Sequence, residues 1–349
     1  MPRKIRHWTG IEEELLGIHM FKGKILVPSR SFGAIVDIGT KILTESGFEI
    51  ERIPEEERPV TEEKLHDSIS RGGVVAIVSS YEPIGSKALE EVGDLRVISK
   101  HGVGVDNIDM DLATRRGVVV TNTPGTNIQA VADLTIGLMI SLSRKICLAN
   151  QSTKSGKWEK FIGGELWQKT VGIVGAGAIG KEVIRRLSGF NVKILAHDIE
   201  VDEKFASKYG VDYVPLERLL SESDYVTLHT ALTEGTKGMI GEKELNRMKK
   251  SSYLINAARG KIVDQDALYR ALAAGKIAGA ALDVFAEEPP KQRNLLDLDN
   301  VIATPHMGAY TYEAMMRMDK LCAENIIKVF KGEKPEYVVN PAVFRNRVF

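Results

Sequence analysis

Short runs of consecutive apolar, β-branched residues recur along the chain, each followed by a stretch of helical periodicity, and no other feature restricts the fold as strongly. The first series is Lys24–Val27, Val74–Ser79, Leu95–Ser99 and Val118–Thr121. The second is Val171–Val174, Val192–His197, Tyr225–His229, Tyr253–Asn256, Ala278–Asp283 and Asn300–Thr304. A strand with one wet face alternates apolar and polar residues, whereas these runs are apolar in succession, as parallel strands covered on both faces are. Amphipathic stretches such as Lys181–Leu187 and Asp264–Ala274 separate them. Two such series predict two doubly wound α/β domains rather than one very large sheet. The 349 residues suffice for two hydrophobic cores.

The turn cluster Asn122-Thr123-Pro124-Gly125 marks the boundary, ahead of a long, largely apolar helix expected over Ile128–Leu148. A last helix is expected over Tyr312–Phe330, and because no strand accompanies it, it is expected to return to the first domain. The first twenty residues read as a mixed-charge helix. With 47 Lys+Arg against 47 Asp+Glu there is no net field to select nucleic acid or an anionic membrane. No window approaches the apolar length of a membrane span, and no secretory leader is legible behind Arg3, Lys4 and Arg6, so the cytoplasm is the expected address. Cys147 and Cys322 are far apart, which argues against a disulfide framework and against structural zinc; both are expected as reduced, buried thiols, and no metal site is expected.

Val171–Val174 runs straight into Gly175-Ala176-Gly177-Ala178-Ile179-Gly180 and a helical stretch. In a strand–turn–helix setting each glycine has a reason: Gly175 permits the tight turn, Gly177 lets backbone N–H groups approach a pyrophosphate, and Gly180 lets helix and strand pack closely. Asp198 closes the next strand, where a carboxylate can accept the ribose hydroxyls of an adenosine. The same carboxylate would repel a 2′-phosphate, so NAD is favoured over NADP. Both domains are therefore expected to be Rossmann-like.

Three further residues each follow a predicted strand of the second series, where ligands bind in an open α/β sheet: Arg259, Glu288 and His306. Hydride transfer to a carbonyl requires a proton for its oxygen and a cation to hold an oxyacid. A carboxylate on the imidazole would fix the tautomer of His306 and favour its charged form, and the guanidinium of Arg259 offers a planar fork that matches a carboxylate.

With these motifs in place the chain resembles the D-isomer-specific 2-hydroxyacid dehydrogenases, and within them the phosphoglycerate dehydrogenase-like group. The likeness runs from about Ile25 to Asn340 and rests on the glycine fingerprint, Asn256-Ala257-Ala258-Arg259-Gly260, Asp283-Val284-Phe285 with Glu288-Pro289, and Pro305-His306-Met307-Gly308-Ala309. It implies a discontinuous substrate domain (1–121 and 308–349) around an inserted NAD domain (122–307), a homodimer built on the NAD domain, and Arg259, Glu288 and His306 as catalytic residues. Cofactor contacts carry over to Val103, Ala178, Ile179, Thr230, Ala257, Ala258, Asp283 and Gly308, and substrate contacts to Lys100, Gly102, Val103 and Arg259. Ser79 stands where phosphoglycerate enzymes place an arginine for the phosphate, which leaves Lys100 as the nearest matched cation.

The reading that follows is an NAD-dependent oxidoreductase interconverting a D-2-hydroxy acid and its 2-oxo acid. An NAD-sensing, corepressor-like binding protein on the same fold is the alternative from another class, and the chain lacks a Pro-rich recruitment segment for that role. Formate oxidation would call for Gln in place of Glu288.

Overall fold

The computed structural model describes residues 21–291 and 293–345; the helix expected ahead of the first strand lies outside them. The chain forms two compact units, one of the described residues up to Pro124 together with those from Met315, the other of Gly125–Ala314. The crossings thus fall at Pro124/Gly125 and Ala314/Met315 rather than at 121/122 and 307/308. Local hydrogen bonds explain the difference. Asn122 N–H donates to the Tyr337 carbonyl (3.3 Å) and Thr123 N–H to that of Gly102 (2.9 Å), which keeps the turn cluster up to Pro124 in the first unit. Gly308 N–H donates to the Asp283 carboxylate (2.8 Å), which keeps the segment after His306 in the second.

In the first unit β1 (Lys24–Val27), α1 (Ile38–Glu45), β2 (Glu49–Arg52), α2 (Glu62–Ser70), β3 (Val74–Ser79), β4 (Val97–Lys100), α3 (Met110–Arg115) and β5 (Val119–Thr121) form a parallel sheet of order β2-β1-β3-β4-β5. β3 and β4 are buried along their whole length, the apolar run of β3 as its pattern requires and β4 together with its polar Ser99 and Lys100. Asp109 caps α3 by accepting from Leu112 N–H (2.9 Å).

In the second unit the elements are α4 (Ile128–Ser143), α5 (Ile146–Lys154), β6 (Thr170–Val174), α6 (Ala178–Leu187), β7 (Lys193–His197), α7 (Glu203–Tyr209), β8 (Val211–Tyr213), α8 (Leu216–Glu222), β9 (Tyr225–Leu228), α9 (Glu242–Arg247), β10 (Tyr253–Asn256), α10 (Gln265–Ala273), β11 (Gly279–Leu282) and β12 (Val301–Ala303). The seven strands are parallel in the order β12-β11-β10-β9-β6-β7-β8, so the direction of winding reverses at β6 and β9, and the fold is the doubly wound α/β class that the sequence predicts. α11 (Tyr312–Phe330) continues from there into the first unit, where Cys322, Ala323 and Ile326 pack with Ile25, Val27 and Val97.

The long helix expected over Ile128–Leu148 is two helices. Lys145 takes a left-handed conformation (φ 52°), which ends α4 and starts α5 in a new direction. α4 buries Val131, Leu138, Met139 and Leu142, each worth roughly 1.5–3 kcal/mol. Its other side carries Asp133, which accepts from Arg186 Nε (2.5 Å) and so ties α4 to α6. Cys322 is buried as expected, but Cys147 on α5 is exposed; both are free thiols. Among the described residues no helix is long and apolar enough to cross a membrane.

Candidate active site

The glycine turn has the shape that a dinucleotide requires. Gly175 sits at φ +93°, and a Cβ there would lie 2.7 Å from the His229 carbonyl carbon and the Thr230 nitrogen. A Cβ at Gly180 would lie 2.1 Å from the Gly175 carbonyl oxygen, so α6 approaches the turn as closely as it does only because residue 180 has no side chain. At Gly177 a Cβ would meet nothing within 4 Å: this residue faces open space at the start of α6, where Ala178 and Ile179 begin the helix and its first N–H groups lack intrahelical acceptors. Asp198, just past β7, accepts from Ala176 N–H (2.6 Å) and from Glu200 N–H (3.2 Å). The carboxylate is thereby fixed beside the turn. Thr230 follows β9 next to Gly175, its hydroxyl donating to the Ala231 carbonyl (3.4 Å).

β10 ends in Asn256, whose side chain builds the next turn by donating to the Arg259 carbonyl (2.9 Å) and accepting from Ala258 N–H (3.1 Å). Ala257, Ala258 and Arg259 are placed by this loop, and Arg259 Nη1 donates to the Ala258 carbonyl (2.8 Å). A Cβ at Gly260 would come within 1.9 Å of the Phe285 carbonyl carbon, so the turn packs directly on the backbone that leads to Glu288.

Glu288 Oε2 lies 2.7 Å from His306 Nδ1, while Oε1 accepts from Phe285 N–H (2.9 Å). Burial works against the Glu288 carboxylate. The imidazole hydrogen bond and charge, the Phe285 N–H and the Arg259 guanidinium outweigh it and hold the carboxyl below its ordinary value. The three residues that the sequence singled out are thus one electrostatic unit. Asp283 supports them from behind: buried, it accepts from the Thr304 hydroxyl (2.6 Å), Met307 N–H (2.9 Å) and Gly308 N–H (2.8 Å). Burial pushes its carboxyl up against the pull of those bonds and of the His306 charge.

In the first unit Lys100 is buried at the end of β4, its Nζ donating to Asn107 Oδ1 (2.6 Å) and lying 5.6 Å from the centre of the Tyr81 ring. Gly102 (φ +150°) donates its N–H to Thr123 Oγ1 (3.1 Å), whereas Val103 is exposed and its carbonyl accepts from Asn122 Nδ2 (2.8 Å). Ser79 is fully buried on β3.

Sequence reasoning assigned no role to Asn256, although its place at a strand end, two residues ahead of Ala258 and three ahead of Arg259, is the signal for a side chain that shapes the turn. It also passed over His229, whose Nε2 lies 2.9 Å from Thr227 Oγ1 and whose pKa burial pushes down to about 4, so the ring beside the glycine turn is neutral.

Residues 136–308 match the model of the D-isomer specific 2-hydroxyacid dehydrogenase NAD binding domain. A glyoxylate reductase of Korarchaeum cryptofilum is 44% identical over 273 residues, covering 76% of this chain and 82% of that protein. A D-3-phosphoglycerate dehydrogenase of Methanocaldococcus jannaschii is 43% identical over 284 residues, covering 80% of this chain and 54% of that longer protein. Among solved structures, the D-lactate dehydrogenase of Aquifex aeolicus in complex with NAD and lactic acid superposes with a TM-score of 0.78 at 28% identity, over 91% of this chain and 99% of that one. The chain belongs to the D-isomer specific 2-hydroxyacid dehydrogenase family and is an NAD-dependent oxidoreductase acting on a CH–OH group.

Proposed function

We propose that the chain interconverts a small D-2-hydroxy acid and its 2-oxo acid, with His306 as proton donor and acceptor, Glu288 as its charge partner and Arg259 as the cation that holds the substrate. The observation that carries this reading is the 2.7 Å bond between His306 Nδ1 and Glu288 Oε2 within the field of Arg259. NAD, when bound, accepts or supplies the hydride. With Nδ1 engaged by the carboxylate, proton exchange falls to Nε2: as imidazolium it protonates the carbonyl oxygen of a 2-oxo acid, and as neutral imidazole it takes the proton of the hydroxyl. The Arg259 fork matches the carboxylate and adjacent oxygen of such a substrate and polarises the carbonyl. Gly175, Gly177, Ala178, Ile179, Gly180 and Asp198 hold the dinucleotide, with Thr230, Ala257, Ala258, Asp283 and Gly308 toward its nicotinamide half. For the first unit taken by itself, the family resemblance assigns a substrate carboxylate to Lys100 and the Gly102–Val103 backbone.

The substrate class we favour is unphosphorylated, because Ser79 occupies the place of a phosphate-binding arginine and is buried. Consumption of NADH with a panel of 2-oxo acids tests this: glyoxylate, hydroxypyruvate or pyruvate should be reduced at least as well as phosphohydroxypyruvate. A strong preference for the phosphorylated compound, lost on Lys100→Ala, would assign the phosphate to that lysine. Arg259→Ala should raise KM for the oxo acid and lower kcat as well. Wild-type kcat in His306→Ala would remove the acid/base role from His306, whereas a wild-type chain that binds NADH and reduces no 2-oxo acid would favour the NAD-sensing binding protein instead.

We further assign a homodimer to the second unit. Trp158 (85% exposed) and Ile162 (90%) project from an irregular segment beside Trp167. Nearby lies a surface cavity of about 400 Å³ lined by Ile140, Arg144, Leu166, Trp167 and Phe190. Large apolar side chains this exposed call for a cover, and a second copy of the chain supplies both the projecting segment and the cavity.

A further inference from the structure

The loop that follows β4 rests on a buried polar chain that the mechanism above does not use. Ser31 Oγ lies 2.8 Å from His101 Nδ1, and Asp319 Oδ1 lies 2.8 Å from His101 Nε2. The second oxygen of Asp319 accepts from Gly33 N–H at 2.9 Å. Ser31 Oγ is also 3.1 Å from Ser29 Oγ and 3.2 Å from Ser80 Oγ, which are themselves 2.6 Å apart. All of these side chains are buried, and the Phe32 ring packs edge-on against the imidazole at 5.7 Å.

Serine, histidine and aspartate in this sequence of contacts resemble a nucleophilic triad. The surroundings argue otherwise: Ser31 is 5% exposed and faces two further hydroxyls, so no acyl group could reach its oxygen. What the chain of bonds does is join four distant segments, the β1–α1 loop, the end of β3, the end of β4 and α11. Buried polar groups are costly unless satisfied, and a satisfied network admits one arrangement where apolar packing would tolerate several.

α11 grips the same strand end a second time. Cys322, one turn beyond Asp319, donates Sγ–H to the Lys100 carbonyl (3.4 Å) and accepts from Ser99 Oγ through its own carbonyl (3.3 Å). On the far side Gly102 is bonded through both N–H and C=O to Thr123. Ser99, Lys100, His101 and Gly102 are therefore each held, and the next amide along the chain is that of the exposed Val103.

We infer that His101 is a positioning residue for the substrate carboxylate: through Ser31 and Asp319 it sets where the Gly102–Val103 backbone presents itself to a 2-oxo acid. The inference rests on the reading that this loop contacts that carboxylate. It is tested in the full-length enzyme with His101→Phe, which keeps a ring against Phe32 and removes both hydrogen bonds. KM for glyoxylate should rise about tenfold or more, since misplacement by less than an ångström is enough, with kcat within about threefold and KM for NADH unchanged. Amide exchange over residues 100–106 should quicken. His101→Gln, whose amide restores part of the hydrogen bonding, should recover part of the KM. A folded His101→Phe enzyme with wild-type KM for glyoxylate overturns the inference, as does an equal loss in kcat and in KM for both substrates, the mark of general loosening. Should His101→Phe fail to fold, Ser31→Ala gives the same readout, and an unchanged KM and exchange rate there overturns it equally. If the wild-type enzyme reduces no 2-oxo acid, the functional reading fails, and exchange over 100–106 still decides whether His101 holds the loop.

Discussion

Asp283 carries His306 on its backbone: the Asp283 carbonyl accepts the His306 N–H at 2.8 Å, while its carboxylate takes the N–H groups of Met307 and Gly308. His306 sits at φ 51°, a left-handed conformation that costs a residue with a side chain about 1 kcal/mol or more and persists only where the surroundings enforce it. Asp283 is that enforcement. Asp283→Ala takes the acceptor from the Thr304 hydroxyl, Met307 N–H and Gly308 N–H, of which only Gly308 is buried, and should lower stability by roughly 1–3 kcal/mol. It should also lower kcat more than tenfold with His306 and Glu288 intact, a loss of positioning. Denaturant unfolding combined with steady-state kinetics checks both. Unchanged kcat in the variant would mean that His306 holds its place without Asp283.

The His306–Glu288 pair gives a pH signature. Oxidation needs the neutral ring and reduction the charged one, so the two directions should have opposite pH dependences. Glu288→Gln removes the anionic partner of the ring and should weaken reduction at neutrality more than oxidation. There is a stability counterpart. Glu288 is held below its ordinary value in the folded chain, so its contribution is present above the ordinary glutamate range and lost as pH falls through the lowered value. The Gln variant should show a flatter acid limb in Tm. Superimposable pH profiles for the two enzymes would dissolve the pair as an acid/base unit.

The Asp198 carboxylate holds Ala176 N–H at 2.6 Å, and the proposed function gives it the adenosine ribose as well. Asp198→Ala combined with an arginine nearby should relax or reverse discrimination against NADP. It should also raise KM for NADH, since the turn loses an anchor. kcat/KM for the two cofactors decides; an unchanged ratio would place the carboxylate away from the ribose.

For the dimer, sedimentation at micromolar concentration should give twice the 38.5 kDa of one chain. Trp158→Glu together with Ile162→Glu should shift the population toward the monomer with the far-UV spectrum retained. A wild-type enzyme that sediments as a monomer excludes the assignment.

Much of this was legible beforehand because parallel strands buried on both faces are conspicuous and because the chemistry sits at their ends, where Arg259, Glu288 and His306 were found. β2 and β8 were not foreseen. Both are edge strands, carrying Glu49, Glu51 and Arg52 in one and Asp212 in the other, and charge at an edge suppresses the apolar signal while guarding against stray pairing. The break at Lys145 was hidden for a different reason: a lysine in left-handed conformation leaves no mark in composition. The Ser31–His101–Asp319 chain could not be read from spacing at all, since its members lie 70 and 218 residues apart.

That last separation bears on biosynthesis. A core that contains Ile25, Val27 and Val97 is completed by Cys322, Ala323 and Ile326, so strands made early find their last partners only when α11 is made. Asp319 follows His101 by 218 residues, which at about 5–20 residues per second is a wait on the order of ten to forty seconds. During that time most of the second unit, contiguous from Gly125 to Ala314, is being made while the apolar strands of the first lack the cover that α11 supplies. For this chain the vulnerable interval in the cell comes before α11 is made, and the demand for chaperones falls on its beginning.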